Sequence, residues 1–194
     1  MNQKIIIIKY NAGNIRSVDF ALRRLGVAAE ISDDPEKIRA ADKVIFPGVG
    51  EASGTMDYLR KRGLDEVIKQ LRQPVLGICL GMQLMCSYSE EGTADCLGIF
   101  NTGVLKFTSG KVPHMGWNAL EGIAGTLYEK LNNGTYVYYV HSYYVPETPD
   151  TTATSFYGVR FSASMQRANF YATQYHPEKS GRYGETILKN FLKL

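Results

Sequence analysis

The residues with the most chemical potential stand in two short stretches far apart in the chain. "GICLG" (77–81) sets Cys79 between two glycines at the end of an apolar run, and "QYHPEK" (174–179) puts Glu178 two places after His176. A thiolate is a strong nucleophile, and acyl transfer then needs a base that can later protonate the leaving amine; histidine is the usual one. Residues i and i+2 of an extended chain face the same way, and Pro177 blocks ladder pairing and fixes a bend. Glu178 can therefore reach back to one imidazole nitrogen and leave the other to the thiol, which is how a triad's third member orients the base. The pattern G-x-C-x-G is the thiol counterpart of the G-x-S-x-G nucleophile elbow, a strained strand-to-helix turn. Side chains two places either side of its centre would collide, and the first helical amides favour a thiolate. The plainer readings are a buried cysteine ending a strand, a surface histidine and a solvated carboxylate. His114 and His141 are the other histidines, while Cys86 and Cys96 lack flanking glycines and read as structural.

The elements around these stretches alternate in the first half of the chain. "KIIIIKY" (4–10) is a β-branched run with the look of a strand covered on both faces. "AGNIRSVDFALRRLG" (12–26) has helical periodicity and stops at Gly26. "VAAEIS", "DKVIFPG" and "QPVLGI" read as further strands, with "DPEKIRAA", "TMDYLRKRGLDEVIKQL" (weakened at Gly63) and "LGMQLMCSY" as helices between and after them. Such alternation predicts an α/β fold, a parallel-rich central sheet flanked by helices. Ligands of such sheets collect beyond the strands' carboxyl ends, where Cys79 falls. From about Gly103 the segments become strand-like and turn-rich, among them "GVLKF", "TYVYYVHSYYV", "TSFYGVRF", "SASMQ" and "NFYATQY". They predict additional antiparallel strands, and "GRYGETILKNFLKL" a closing amphipathic helix.

The totals narrow the function. A chain of 194 residues with no linker or repeat predicts one domain over 1–194. Its net charge of +3, without a run of basic residues, gives no electrostatic footprint for nucleic acid. Three cysteines with no C-x-x-C argue against a disulfide framework or structural zinc and for a reducing, cytoplasmic setting. The apolar run in "MNQKIIIIKY" is too short for a signal-peptide core, and nothing approaches a membrane span.

With these residues in view, the chain resembles the class I, triad-type glutamine amidotransferases, which have a flavodoxin-like fold. The resemblance rests on "YNAGNIRSVDFALRRLG" (10–26), "FPGVGEASGTM" (46–56), "LGICLGMQLMCSYSEEG" (76–92), "KVPHMGWN" (111–118), "VHSYY" (140–144) and "QYHPEKSG" (174–181). It covers nearly the whole chain in order. The cysteine and His-Pro-Glu blocks belong to the wider family, whereas "PHMGWN" with "VHSYY" points to its histidine-biosynthesis branch. The resemblance implies Cys79 as nucleophile, His176 as general acid/base and Glu178 as its orienting partner. It implies an oxyanion hole of backbone amides, from Leu80 and from Val49 or Gly50 of the "GVG" turn, with Gly48 beside the substrate; an ordinary turn is the plainer reading there. Gln83, one helical turn after Cys79, suits the substrate's polar groups. Glu91, or its neighbour Glu90, would meet the substrate ammonium, and Ser142 and Tyr143 its α-carboxylate, although Tyr143 could be plain packing. Ammonia would pass to a (β/α)8-barrel cyclase subunit in a heterodimer. Met115 and Trp117 would be docking anchors unless Trp117 is a core residue, and Lys179 a further contact unless it is merely solvated. No metal or redox cofactor is called for. One departure is Lys9-Tyr10-Asn11, where the family usually carries an acidic residue and a glycine. The rival expectations are a stand-alone cysteine hydrolase, the glutaminase of another amidotransferase, and a non-catalytic amide-binding module.

Overall fold

Four successive isoleucines make the first strand, β1 (Ile5–Ile8), and all four are buried. Alternate side chains of a strand leave opposite faces, so a run buried throughout needs cover on both sides. Ile5 and Ile7 pack with Val18 and Leu22 of α1 (Ile15–Arg24), and Ile6 and Ile8 with the separate core on the other face of the sheet. The computed structural model describes residues 3–10 and 14–194. Asn11, in the departure noted above, and the start of the helix expected over 12–26 lie outside the described residues.

After α1 come β2 (Ala29–Ser32), α2 (Pro35–Arg39), β3 (Lys43–Phe46), α3 (Ala52–Lys61), α4 (Leu64–Gln70), β4 (Val75–Ile78) and α5 (Leu80–Leu84). The second half supplies β5 (Tyr88–Ser89), β6 (Ala94–Asp95), β7 (Gly103–Lys106), β8 (His114–Ala119), β9 (Tyr136–His141), β10 (Tyr143–Tyr144), β11 (Thr151–Tyr157), β12 (Val159–Arg167), β13 (Phe170–Thr173) and α6 (Gly181–Lys193). The central sheet runs β11–β12–β13–β4–β3–β1–β2. The strands β13, β4, β3, β1 and β2 are parallel, and β12 and β11 add antiparallel strands at one edge. A mixed α/β architecture with a largely parallel sheet is therefore what the alternation predicted.

Local departures have local causes. Gly63, at φ 65, interrupts the helix expected over 55–71 and yields α3 and α4. The helix after Cys79 is only α5, because amides of Leu97, Gly98 and Phe100 take up the carbonyls of Leu84, Cys86 and Met85. "TYVYYVHSYYV" divides into β9 and β10 at Ser142, whose carbonyl accepts from Phe107 N–H at 3.1 Å. "NFYATQY" supplies β13, which is parallel to β4 as well as antiparallel to β12, and so welds the two halves together. "PHMGWN" is a strand, β8, paired with β9 so that His114 lies opposite His141. No helix among the described residues is long and apolar enough to cross a membrane.

Candidate active site

Four neighbouring strands, β13, β4, β3 and β1, end on the same side of the sheet. The chain leaving them carries His176, Cys79, the Gly48–Gly50 turn and Asn14 respectively. Parallel pairing alone thus brings together residues remote in sequence.

Cys79 has φ 53 and ψ −107, a conformation that costs a non-glycine residue about 1–3 kcal/mol. Its N–H is anchored on the Thr173 carbonyl at 2.7 Å, which pins the turn to β13. The flanking glycines answer to two different obstructions. A Cβ on Gly77 would meet Met85 Sδ at 2.9 Å and the Gly81 backbone at 3.0 Å, the collision across the turn that the pattern predicts. A Cβ on Gly81 would instead lie 1.9 Å from the Phe46 carbonyl oxygen, so β3 is what excludes a side chain there.

His176 and Glu178 are fully buried side chains, with Nδ1 2.8 Å from Oε1. Asn14 donates its side-chain amide to the same Oε1, a contact that sequence reasoning missed. Asn14 begins α1 in a left-handed conformation and leaves the helix uncapped, which frees the amide for the carboxylate. His176 Nε2 is buried and has no hydrogen-bond partner among the described residues. Burial works against an imidazolium here, but the Cys79 sulfur and the Glu178 carboxylate prevail and raise the His176 pKa to about 10.

The other two histidines have no nitrogen to spare. His141 Nδ1 lies 2.7 Å from the Tyr143 carbonyl and must donate to it, so its Nε2 accepts from His114 Nδ1 at 2.9 Å. His114 Nε2 faces the Asn118 amide at 3.4 Å, and its ring is stacked against Tyr157 and Tyr139. Burial lowers the pKa of His114 to about 4 and that of His141 to about 3.

Cys79 opens on a cleft of about 270 Å³ whose wall includes Val49, Gly50, Leu80, Gln83, Glu91, His141, Ser142 and Tyr143. Glu91 faces it, with one oxygen on the Ala52 amide at 3.1 Å and its pKa raised by burial. Glu90 is turned elsewhere, onto the Lys106 amide at 2.7 Å. Gln83 spends Nε2 on the Tyr143 carbonyl and on Gln174 Oε1, each at 3.0 Å, so its carbonyl oxygen is what remains for a ligand. Gln174 was not singled out from the sequence, although it opens the "QYHPEKS" block; its Nε2 lies 3.7 Å from Cys79 Sγ.

The expected oxyanion donors do not stand open together. Leu80 N–H donates to the Gly48 carbonyl at 3.4 Å. A trans peptide sets its N–H opposite its C=O, so the Val49 N–H of that same peptide points away from Leu80. Gly48 has no room for a side chain, since a Cβ would meet Tyr10 Oη at 2.2 Å.

Met115 and Trp117 are 63% and 54% exposed, so Trp117 is not a core residue. Tyr136 and Phe156, on β9 and β11, are also exposed apolar residues. Lys179 is exposed too.

A model of the family described as "Glutamine amidotransferase class-I" matches residues 6–194. The chain belongs to the class I glutamine amidotransferase family. It is 60% identical over 195 residues to "Imidazole glycerol phosphate synthase subunit HisH" of Bacteroides fragilis strain YCH46, covering 98% of this chain and 100% of that one. The protein of the same name from Escherichia coli K12 is 45% identical, with 98% and 99% covered. Among solved structures, PurLQS from Thermotoga maritima superposes with a TM-score of 0.75 at 17% identity, over 100% of this chain and 99% of that one. A second, titled as a glutamine amidotransferase, gives 0.76 at 17% identity over 97% of each. These two speak for the class I amidotransferase fold alone.

Proposed function

We propose that this chain is the glutaminase subunit of an imidazole glycerol phosphate synthase. It hydrolyses glutamine to glutamate and passes the ammonia to a (β/α)8-barrel cyclase subunit, HisF. That partner uses it to make imidazole glycerol phosphate and an aminoimidazole carboxamide ribotide. The observation that carries the chemistry is the one buried, uncommitted imidazole nitrogen, His176 Nε2, on a ring that interacts with the Cys79 sulfur. Relatives named as this subunit, 45% to 60% identical over 98% of the chain, carry the choice of synthase. A cytoplasmic, reducing setting suits a free thiol at the centre of the reaction.

The steps follow from the groups present. The Cys79 thiolate forms a C–S bond with the side-chain amide carbon of glutamine, and the carbonyl electrons move onto oxygen. Leu80 N–H and an amide of the Gly48–Gly50 turn receive that oxyanion, each contributing about 3 kcal/mol to transition-state binding. The C–N bond breaks as His176 gives its proton to the departing nitrogen. Water, deprotonated by His176, then attacks the thioester; the C–S bond breaks and glutamate leaves. Glu91 balances the substrate ammonium, and the Ser142–Tyr143 backbone meets its carboxylate.

Turning the Gly48–Val49 peptide over would release Leu80 N–H and bring Val49 N–H round to join it. Docking of the cyclase against Met115, Trp117 and Lys179 supplies the occasion, and it also keeps ammonia from being protonated in bulk water. A stand-alone hydrolase would need neither. In the test, Cys79→Ala abolishes glutamine-dependent synthesis by the two-subunit complex and leaves ammonia-dependent synthesis intact. Continued glutamine hydrolysis by that variant would remove the thiol from the mechanism. Full turnover by the isolated chain, with no stable complex on size exclusion, would favour the stand-alone reading.

A further inference from the structure

Gln174 is fully buried and absent from the wall of the cleft, yet it reaches the sulfur that the cleft exposes. Its backbone is fixed by the sheet, with N–H on the Ala163 carbonyl at 2.8 Å. Its side-chain orientation follows from its neighbours. Gln83 Nε2 sits 3.0 Å from the Tyr143 carbonyl, which can only accept, so the nitrogen of Gln83 faces that way. The same nitrogen has a second hydrogen, and Gln174 must offer it oxygen at 3.0 Å. Flipping Gln174 would set two amide nitrogens against each other. The Gln174 N–H therefore points at Cys79 Sγ, 3.7 Å away.

We infer that Gln174 is a catalytic residue of this glutaminase, its side-chain N–H hydrogen-bonding the thiolate of Cys79 and Gln83 holding it in that orientation. The inference rests on the reading of Cys79 as the nucleophile. Besides the His176 ring, the sulfur has one neutral partner for each protonation state. As a thiol it can donate to the Val140 carbonyl at 3.8 Å; as a thiolate it loses that donor and accepts from Gln174. Hydrogen bonds to an ionised group are roughly twice as strong as neutral ones, so the amide favours the anion over the thiol. The benefit falls at both ends of the cycle. The amide steadies the thiolate that attacks glutamine, and it hydrogen-bonds the sulfur again as that atom takes the electron pair of the breaking thioester C–S bond. Being neutral, the amide does this without competing with Glu178 for the proton on His176.

The test uses the complex with the cyclase and two variants. Gln174→Met fills similar volume without an N–H, and Gln174→Glu keeps the shape but presents an acceptor to the sulfur. Alkylation of Cys79 by iodoacetamide at neutral pH, located by mass spectrometry, falls about tenfold in Gln174→Met and further in Gln174→Glu, as expected for one lost charge-assisted bond. The kcat for glutamine falls in parallel while KM stays within about twofold, because Gln174 does not line the cleft. Wild-type alkylation and kcat in both variants overturn the inference while Cys79→Ala remains inactive; an active Cys79→Ala overturns the underlying reading instead. Should either variant fail to fold, the side-chain amide protons of Gln174 in the unaltered enzyme decide by NMR. They move downfield as the thiolate forms, and a shift that ignores the state of the thiol refutes the assignment.

Discussion

Three histidines lie in or beside this cleft, and hydrogen-bond accounting separates them. His141 stands in its wall but has given one nitrogen to the Tyr143 carbonyl and the other to His114. His176 has given only Nδ1, to Glu178. A base needs a lone pair or proton that nothing else holds, so His176 is the chemically available ring. Its pKa, raised from 6.5 to about 10, sets two expectations. The charged ring adds to folding stability below about pH 6.5, and that contribution is lost as the pH climbs through about 10. Glu178→Gln removes a neighbouring charge that sustains the imidazolium, so a ring titration followed by NMR gives a His176 pKa clearly below about 10. An unchanged titration would mean that the carboxylate is not what holds the ring's proton.

The elements that carried strong local signals were legible before folding: the isoleucine run, the helix of α1, the glycine-flanked turn after β4 and the closing helix α6. What escaped depends on partners distant in sequence. β8 carries no strand signal of its own, since Gly116 and Asn118 interrupt the pattern, and only pairing with β9 makes it a strand. The shortness of α5 comes from amides more than ten residues downstream. Asn14 and Gln174 are amides whose value lies wholly in what the fold sets opposite them. The β8–β9 pair also has a pH signature. His114 and His141 are held neutral, each with its pKa lowered from 6.5, to about 4 and about 3. Unfolding lets both take up protons below 6.5, so stability is full above that pH and falls as the pH drops towards 4. Thermal unfolding between pH 7 and 4 should show the decline, and His114→Gln should flatten it; an equal slope in both proteins would place the acid sensitivity elsewhere.

At the scale of the whole molecule, four of the exposed apolar residues, Met115, Trp117, Tyr136 and Phe156, stand on β8, β9 and β11. Trp117→Ala should weaken binding to the cyclase about tenfold or more, since aromatic anchors dominate such contacts, while Tm changes little because half the ring is already solvated. Titration calorimetry with the cyclase measures the first and thermal melting the second; undiminished affinity would move the interface off this hairpin. One strand of that hairpin, β9, has a mechanical consequence. β9 begins with exposed Tyr136, and its inner carbonyls face the chemistry: Tyr138 accepts from the His176 backbone at 2.9 Å, and Val140 faces the Cys79 sulfur at 3.8 Å. It is a lever with a very short arm. A push on its outer end is felt, within two or four residues, by both halves of the reacting pair.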